Sequence, residues 1–306
     1  MTRLLQASVL GLCACACFSL RAGQALTPLP CADIYRRATN EFAEACFFKP
    51  AETKPNDPAS TLAPLILQEV SAATERLSRM DRFGTLGLSN GIPALDASRP
   101  AVYWQVDTVQ LSGQAHARFT YVWCYSSAAS DSKPGPGIDT RSPARAEADL
   151  PVQGIRITLN TNGQPVIWET LADSSGAELI FVAQNLEAAA LAEHGKPVPG
   201  RRHAIERSMQ EAPKVIVARV IDDGPIAMGP IVYLSAGTRD VSTLICRCMP
   251  AQAKKLLDTS TYELLPLNAL TVQSLLTQAR DHAAFWPDVQ RGDDRLEHCL
   301  RLPSAF

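Results

Sequence analysis

The sequence lacks a long apolar run after residue 25, and it lacks a cluster of basic charge. No segment beyond that point approaches the roughly 18 consecutive apolar residues that cross a bilayer as a helix. The formal net charge is −2, and the only dense basic stretch is Arg201-Arg202-His203. We therefore expect no transmembrane segment in this part of the chain and no nucleic-acid partner.

Several enzyme signatures are also missing. The sequence contains no phosphate-binding loop motif, no G-x-G-x-x-G after a predicted strand, no H-E-x-x-H and no internal repeat. No motif therefore indicates a nucleotide-dependent enzyme or a zinc protease. We expect no cofactor.

The first 25 residues have the layout of an export signal. Arg3 supplies a positive charge, Leu4–Leu20 form an uncharged apolar stretch, and Gly23 and Ala25 form a small-residue cleavage site. We expect this signal peptide to be cleaved, so that the mature chain begins near Leu26 and is secreted or periplasmic.

A lipid anchor is the alternative for this part of the chain. The run Leu12-Cys13-Ala14-Cys15 resembles a lipoprotein cleavage box, in which the modified cysteine follows a small residue. We favour plain secretion over lipidation at Cys15, because the apolar stretch continues through Leu20 and an ordinary cleavage site follows it.

Export into an oxidising compartment favours disulfide bonds. The candidates in the mature chain are Cys31, Cys46, Cys124, Cys246, Cys248 and Cys299. Cys246 and Cys248 lie two positions apart on a predicted strand, so their Cβ atoms are too distant for a bond to each other. The alternatives are a metal or thiol site at Cys246 and Cys248, or buried free thiols.

Helix periodicity dominates residues 26–95. Apolar residues recur every four positions in 32–47, and Thr61 is placed to cap a helix that reaches about Met80. We therefore expect a helical N-terminal segment at 26–95, followed by an α+β domain at 96–306.

Strand periodicity dominates from residue 96 onward. Asn162-Gly163 predicts a two-residue hairpin turn. A flexible surface loop is expected at 126–149. Helices are expected at 185–195, 250–257 and 271–284. The predicted fold is α+β, a mostly antiparallel sheet with flanking helices. The predicted strands are 101–111, 115–125, 155–160, 166–171, 178–183, 215–221, 231–234 and 241–248.

Residues 87–91 match the G-x-S-x-G pattern of a nucleophile elbow, with Ser89 as the nucleophile. An elbow needs a strand before the serine and a helix after it. Here a helix is predicted before the serine, and Pro93 follows where the second helix would begin. A flexible turn is the favoured interpretation, and a catalytic Ser89 is the alternative.

Acidic residues supply the other catalytic candidates. Asp222 and Asp223 end a predicted strand, and Glu169 lies on a strand of the predicted hairpin. A carboxylate with a histidine such as His116 can act as general acid and base. Ordinary turn chemistry explains the two aspartates as well, because aspartate and glycine favour chain reversal.

Polar residues recur on one face of two predicted strands. If the strands at 115–125 and 155–160 pair, His116, Arg118 and Arg156 share that face and form a patch suited to an anionic small ligand. A solvated outer sheet face has the same alternation and is the alternative explanation. The nearby tryptophans are expected to pack in the core.

These patterns favour an exported soluble protein without catalytic activity, which binds a partner protein or a small ligand through its sheet and the loop at 222–230. The main support is that each enzyme-like motif lacks its expected context. One alternative is a secreted hydrolase that uses Asp222, Asp223, Glu169 or Ser89 with a histidine. The other is the metal or thiol site at Cys246 and Cys248.

Overall fold

A computed structural model describes residues 34–35, 41–71, 77, 81–89, 92–126, 150–171, 173–212, 214–224, 226–247, 252–267 and 295–304. The export signal at 1–25, nearly all of the predicted loop at 126–149 and the predicted helix at 271–284 lie outside these residues. Cys15, Cys31 and Cys248 lie outside them too. Within the described ranges, no helix is long and apolar enough to cross a membrane.

Strands make up most of the described chain. Three short helices accompany them: α1 (Pro58–Thr61), α2 (Gln184–His194) and α3 (Arg295–Cys299). The described strands are β1 (Glu41–Pro50), β2 (Leu65–Glu69), β3 (Phe83–Ser89), β4 (Ile92–Asp96), β5 (Ala101–Leu111), β6 (Gln114–Tyr125), β7 (Val152–Leu159), β8 (Pro165–Thr170), β9 (Glu178–Ala183), β10 (Val215–Ile221), β11 (Ile231–Leu234), β12 (Val241–Ile245) and β13 (Gln252–Pro266).

The strands form one nearly closed, barrel-like sheet. Their hydrogen-bonded order is β10-β9-β8-β7-β6-β5-β13-β1-β2-β11-β12, and the β3–β4 hairpin attaches to β6. The two end strands approach each other, because Nη1 of Arg219 on β10 lies 3.5 Å from Oγ1 of Thr243 on β12. Side chains therefore alternate between an inner and an outer face of the sheet.

The fold class expected from the sequence is wrong. The structure is not a sheet with flanking helices, because it is mostly strand and the sheet curves almost onto itself. Most of the strand pairs are antiparallel, as predicted, and four are parallel. β10 and β11 are consecutive in the chain but do not pair, because β10 pairs with β9 and β11 lies between β2 and β12. Neighbours in this sheet are often distant in sequence, which local patterns do not reveal.

Three predicted helices are wrong as well. The described parts of the segments at 32–47 and 61–80 contain β1 and β2, and the segment at 250–257 contains the start of β13. An apolar spacing of four residues fits a strand as well as a helix, because residues i and i+4 share a face in both. β1 is a strand because it lies between β2 and β13, where both of its backbone edges form hydrogen bonds.

Most strands predicted beyond residue 96 are confirmed. The observed β5, β9, β10 and β11 have the predicted bounds, and β7 and β8 form the predicted hairpin. Its turn differs in detail. Gly163 has a positive φ of 76°, whereas Asn162 does not. The loop has three residues rather than two, because Asn160 N donates to Gln164 O at 2.8 Å across it.

The interior of the sheet is filled by aromatic side chains and by α1. Tyr121, Trp123 and Tyr125 alternate along β6 on the inner face and are fully buried. The Tyr121 hydroxyl donates to Ala59 O at 2.8 Å, and the Tyr262 hydroxyl donates to Pro64 O at 2.6 Å. α1 and the turn after it therefore plug the interior, and their carbonyls are satisfied by buried phenols.

One end of the sheet, which we call the sealed end, is closed by polar contacts. Trp123 Nε1 donates to the Tyr125 hydroxyl at 3.0 Å, and that hydroxyl donates to Gln68 Oε1 at 3.3 Å. The Arg239 guanidinium lies 4.8 Å from the centre of the Tyr125 ring, and its Nε lies 3.5 Å from Asp81 Oδ1. Each charged group here has a counterpart.

Candidate functional site

The other end of the sheet opens onto a pocket of about 90 Å³, which we call the mouth pocket. The loop from Ile221 to Pro230 forms one wall, and the β7–β8 hairpin contributes Pro165 and Trp168. Asn185 at the start of α2 and Cys246 after β12 complete the lining. The pocket thus lies where four separate segments meet above the plugged interior.

The loop at this pocket is held against the plug by a close backbone approach. Gly229 N donates to Thr61 O at 3.1 Å, and a Cβ added at Gly229 would lie 2.1 Å from Leu62 O. Only glycine fits this position without a backbone shift. The loop is therefore a shaped element that is fixed to α1 and the residues after it.

Asp223 connects this loop to α2. Ala183 precedes the helix without a side-chain cap, and Asn185 N donates instead to Asp223 Oδ2 at 3.1 Å. A carboxylate from another segment therefore caps the helix. This position also suits a negative charge, since helix N-termini carry partial positive charge.

The two aspartates form an acidic rim on the mouth pocket. Both are exposed, and no ion pair joins either of them to another described residue. Partial burial raises the pKa of Asp223, the Asn185 hydrogen bond opposes that rise, and the charge of Asp222 adds to it. Negative charge therefore accumulates at the rim without a described counter-ion.

Trp168 forms the floor of the mouth pocket. Only 6% of its surface is exposed, and the indole packs in the main core, as the sequence predicts for this residue. Its Nε1–H is buried and has no hydrogen-bond partner among the described residues. That nitrogen has almost no accessible surface, so it does not open into the space of the pocket.

Glu169 does not reach this pocket, although it neighbours Trp168 in sequence. It lies on the opposite face of β8, where Oε1 is 3.7 Å from Arg156 Nη2 and both side chains are buried. No described histidine pairs with Glu169. The structure thus gives this carboxylate a counter-ion within the sheet.

The polar patch expected on β6 and β7 is buried. The strands pair as predicted, but His116, Arg118 and Arg156 are 1%, 2% and 3% exposed. Arg118 makes two hydrogen bonds to Asp107, at 3.0 and 2.7 Å, and His116 Nδ1 lies 2.9 Å from Leu159 O. These residues hold the sheet together rather than forming an open surface for an anion.

Ser89 lies at the end of β3, in the hairpin that β3 forms with β4. Its backbone pairs with Ile92, so a strand follows where a nucleophile elbow requires a helix. The expected helix before Ser89 is also wrong, because β3 itself begins at Phe83. The strand-to-helix turn that would present a catalytic serine is not formed here.

The described cysteines differ in state. Cys46 and Cys124 are free thiols, and burial raises the pKa of both. Cys299 forms no disulfide bond. Cys246 is not a free thiol. In the described part of the chain, no three histidine, cysteine, aspartate or glutamate residues converge as metal ligands. A metal or thiol site that includes Cys248 stays a prediction.

A second, more open cavity of about 520 Å³ lies near α3, and the sequence did not indicate it. His194, His298 and Glu297 line it. The Glu297 carboxylate accepts a hydrogen bond from Ser112 N, and His194 Nε2 lies 3.3 Å from Leu302 O. These contacts fasten the C-terminal segment to the β5–β6 turn and to α2.

No protein family matches the chain, and neither the curated proteins nor the solved structures include a match to it. The functional argument therefore depends on the geometry of the mouth pocket.

Proposed function

We propose that this protein is an exported binding protein without catalytic activity, and that it holds a small ligand in the mouth pocket. The observation that carries the proposal is the lining of that pocket: two carboxylates without a described counter-ion stand at its rim, and its walls include the apolar side chains of Ile226 and Met228. Elsewhere the described buried charges, such as Arg118 and Asp107, have partners within the protein. A pocket with unused polar groups and apolar walls is typical of a ligand site.

The lining favours binding over catalysis. It contains two carboxylates but no histidine, lysine or serine, so the expected pairing of a carboxylate with a histidine is not formed there. Glu169 points to Arg156 and away from the pocket. The shaped loop supplies fixed walls, which is what a binding site needs in order to recognise a ligand.

Export is the second part of the proposal, and its support is the signal-like sequence of residues 1–25. The test is intact-mass and N-terminal sequencing of the protein recovered from its native cells. We expect a chain that begins near Leu26 and fractionates with secreted or periplasmic proteins. A chain that still begins at Met1 and remains in the cytosol would contradict export and leave the pocket argument intact.

The ligand site is tested by ligand-observed NMR with a panel of small amines, carboxylic acids, sugars and aromatic compounds. The blocking variant is Met228→Trp, because Met228 lines the pocket and a larger indole occupies its space. The matched control is Leu191→Trp, which places the same side chain on an exposed position of α2. We expect binding to the wild type and the control but not to the blocked variant.

Two outcomes of this screen would contradict the proposal that the mouth pocket binds a ligand. One is the absence of binding by every class of compound. The other is binding that Met228→Trp leaves unchanged, because the compound would then sit elsewhere. Thermal unfolding of all three proteins shows whether the blocked variant remains folded.

The second cavity is the place to test the alternative that this protein is a hydrolase. His194, His298 and Glu297 line it, which brings a carboxylate and two imidazoles to one surface. The test is hydrolysis of a panel of ester, phosphate, peptide and glycoside substrates by the wild type and His298→Ala. We expect no turnover by either. Turnover that His298→Ala abolishes would replace the binding proposal with an enzymatic one.

A further inference from the structure

We infer that the second cavity is a phosphate-binding site, with Arg207 and Arg301 as the donors that hold the phosphate group. Both arginines line this cavity of about 520 Å³ near α3. None of its described lining residues belongs to the mouth pocket, so this inference and the proposed function stand or fall separately. Three features carry the inference: the fixed position of the two guanidinium groups, their charge and the size of the cavity.

The two arginines are held on paired segments of backbone. Glu206 and Leu300 form an antiparallel bridge, and each arginine follows one of them in the chain. Arg207 Nε donates to Leu300 O at 3.0 Å. Arg301 Nε donates to Glu206 O at 3.1 Å. Each arginine therefore reaches across the bridge to the residue before the other arginine, and this reciprocal bonding fixes both side chains on the same bridge.

These bonds leave one nitrogen of each guanidinium available. Nη2 of Arg207 donates to Glu297 O at 2.7 Å, and Nη2 of Arg301 donates to Ala204 O. No described residue accepts a hydrogen bond from either Nη1. Neither Nη1 is among the buried side-chain atoms that lack a partner in the described chain. Both Nη1 groups are therefore accessible donors, and backbone carbonyls hold the side chains that carry them.

The charge of the two arginines is not neutralised by a carboxylate. Neither arginine forms an ion pair with a described residue. Glu297 lines the same cavity, but its carboxylate accepts from Ser112 N, and Arg207 bonds only its backbone oxygen. A phosphate supplies the missing counter-charge through charge-assisted hydrogen bonds. Repulsion by the Glu297 carboxylate favours a position on the arginine side of the cavity.

Glu211 shows that the two guanidinium charges act on one place. Hydrogen bonds from the Ser208 side chain and backbone lower the pKa of Glu211, and the charges of Arg207 and Arg301 lower it further. Glu211 is exposed and lies beyond ion-pair distance of both arginines. It therefore leaves their Nη1 groups open to a ligand.

The arrangement of the donors favours phosphate over carboxylate. The two available N–H groups come from two separate segments of the chain. A carboxylate has two oxygens in one plane, which suits the fork of a single guanidinium. A phosphate monoester has three terminal oxygens and a charge of about −1.5 to −2 at pH 7, so it can accept from two directions at once.

The cavity is larger than a phosphate group. Its volume of about 520 Å³ lies in the range of roughly 300–1,000 Å³ that is usual for small-molecule pockets. Leu300 and Leu302 line it together with the arginines. These apolar side chains suit a carbon skeleton, so a small organic phosphate is expected to bind more tightly than free phosphate.

The experiment is isothermal titration of the protein with glycerol 3-phosphate, inorganic phosphate and succinate. All titrations use one ionic strength, because salt screens charges at an open cavity. The wild type is expected to bind glycerol 3-phosphate with a dissociation constant of about 1 mM or tighter. Succinate is expected to bind at least about fivefold more weakly. Tighter binding of glycerol 3-phosphate than of inorganic phosphate assigns an organic phosphate, the reverse assigns free phosphate, and both support a phosphate site.

The first variant removes one donor. Arg301→Met deletes a guanidinium that lines the cavity, and phosphate binding is expected to weaken at least about tenfold. Arg99→Met is the matched control, because it removes the same charge at an exposed position outside the cavity. The control is expected to bind phosphate as the wild type does. Equal weakening in the two variants would mean that net charge, and not the cavity, attracts phosphate.

The second variant leaves both arginines in place, because Arg301 also bonds two backbone carbonyls and its loss disturbs them. His298→Glu adds a negative charge at an exposed residue that lines the cavity, and phosphate binding is expected to weaken about threefold. Thr259→Glu is its control, since it adds the same charge at an exposed position of β13 outside the cavity. Thermal unfolding without phosphate shows which variants remain folded.

Three results would overturn the inference. The first is that neither phosphate compound binds to the wild type. The second is phosphate binding that Arg301→Met and His298→Glu both leave unchanged, and the third is tighter binding of succinate than of phosphate. Met228→Trp, which blocks the mouth pocket, is expected to leave phosphate binding unchanged. Loss of phosphate binding in that variant would place the phosphate in the mouth pocket and overturn the inference as well.

Discussion

The two ends of the barrel-like sheet treat charge in opposite ways. At the sealed end, Arg239 lies beside Asp81 and over the Tyr125 ring, and Asp240 accepts from Ser174 N at 2.8 Å. At the mouth, Asp222 and Asp223 face a pocket and form no ion pair with a described residue. Both ends are built from turns between strands, yet an ion pair joins Arg239 to Asp81 at one end, whereas the aspartates of the other have no described counter-ion.

This difference separates structural charge from charge available to a ligand. A buried charge that loses its partner destabilises the fold strongly, so paired groups such as Arg239 and Asp81 are maintained by folding itself. An exposed carboxylate without a partner contributes little to stability. The comparison therefore predicts that removing charge unfolds the protein at the sealed end and only changes binding at the mouth.

The largest effect is expected at the sealed end. Arg239→Met removes the partner of Asp81 and the cation over Tyr125, and the free energy of unfolding should fall by about 3–5 kcal/mol. Urea denaturation measures this change. Arg99→Met is the control, because the Arg99–Glu263 pair is exposed and its loss should cost about 0–1 kcal/mol. Equal losses in the two variants would mean that the sealed end is not held by this ion pair.

A smaller effect is expected where the loop meets the plug. Gly229→Ala forces a methyl group against Leu62 O, so the loop must move and the free energy of unfolding should fall by about 1–3 kcal/mol. Ligand binding at the mouth should weaken with it. Gly87→Ala is the matched control, because no atom lies within 4 Å of the added methyl. An unchanged Gly229→Ala variant would show that the loop is not fixed to α1.

The smallest effect on stability is expected at the rim. The pKa of Asp223 is raised in the folded state, so its protonated form is favoured there and its ionised form costs stability at neutral pH. Asp223→Asn should therefore raise the free energy of unfolding at pH 7. The gain should be only a few tenths of a kcal/mol, because Asp223 is exposed and solvent screens its charge. The gain should vanish as the pH falls below the pKa of an unfolded aspartate.

Denaturation of wild type and Asp223→Asn across pH 3–8 checks this sign. A marked loss of stability in Asp223→Asn at neutral pH would show that the Asp223 charge supports the fold. It would also remove the difference between the two ends, because charge would then stabilise the fold at the mouth as it does at the sealed end.

The strands beyond residue 96 could be predicted because each has a local signal. Alternation identified β5 in full, and Asn162-Gly163 marked the β7–β8 turn. β1 and β13 could not be predicted as strands, because Glu41 pairs with Gln252 and their pairing spans most of the chain. Their local sequence fits a helix equally well, and the closed sheet decides between the two.

Only one wall of the mouth pocket could be predicted from the sequence. The loop at 222–230 has proline, glycine and aspartate in a pattern that indicates a shaped turn, and it does line the pocket. Trp168 and Asn185 have no local signal that relates them to this loop, because the β9–β10 pairing brings them there. The prediction of an open polar patch at His116 was wrong, because a period-two pattern does not tell which faces of the sheet are buried.

The central claim is that the mouth pocket is the ligand site, and the indole resonance of Trp168 tests it most directly. The chain has four tryptophans, so the indole region of a proton–nitrogen spectrum is simple, and Trp168→Phe assigns the signal. We predict that a panel compound that binds shifts the Trp168 indole signal in the wild type and leaves it in place in Met228→Trp. A Trp168 signal that no compound from the panel moves would contradict the account.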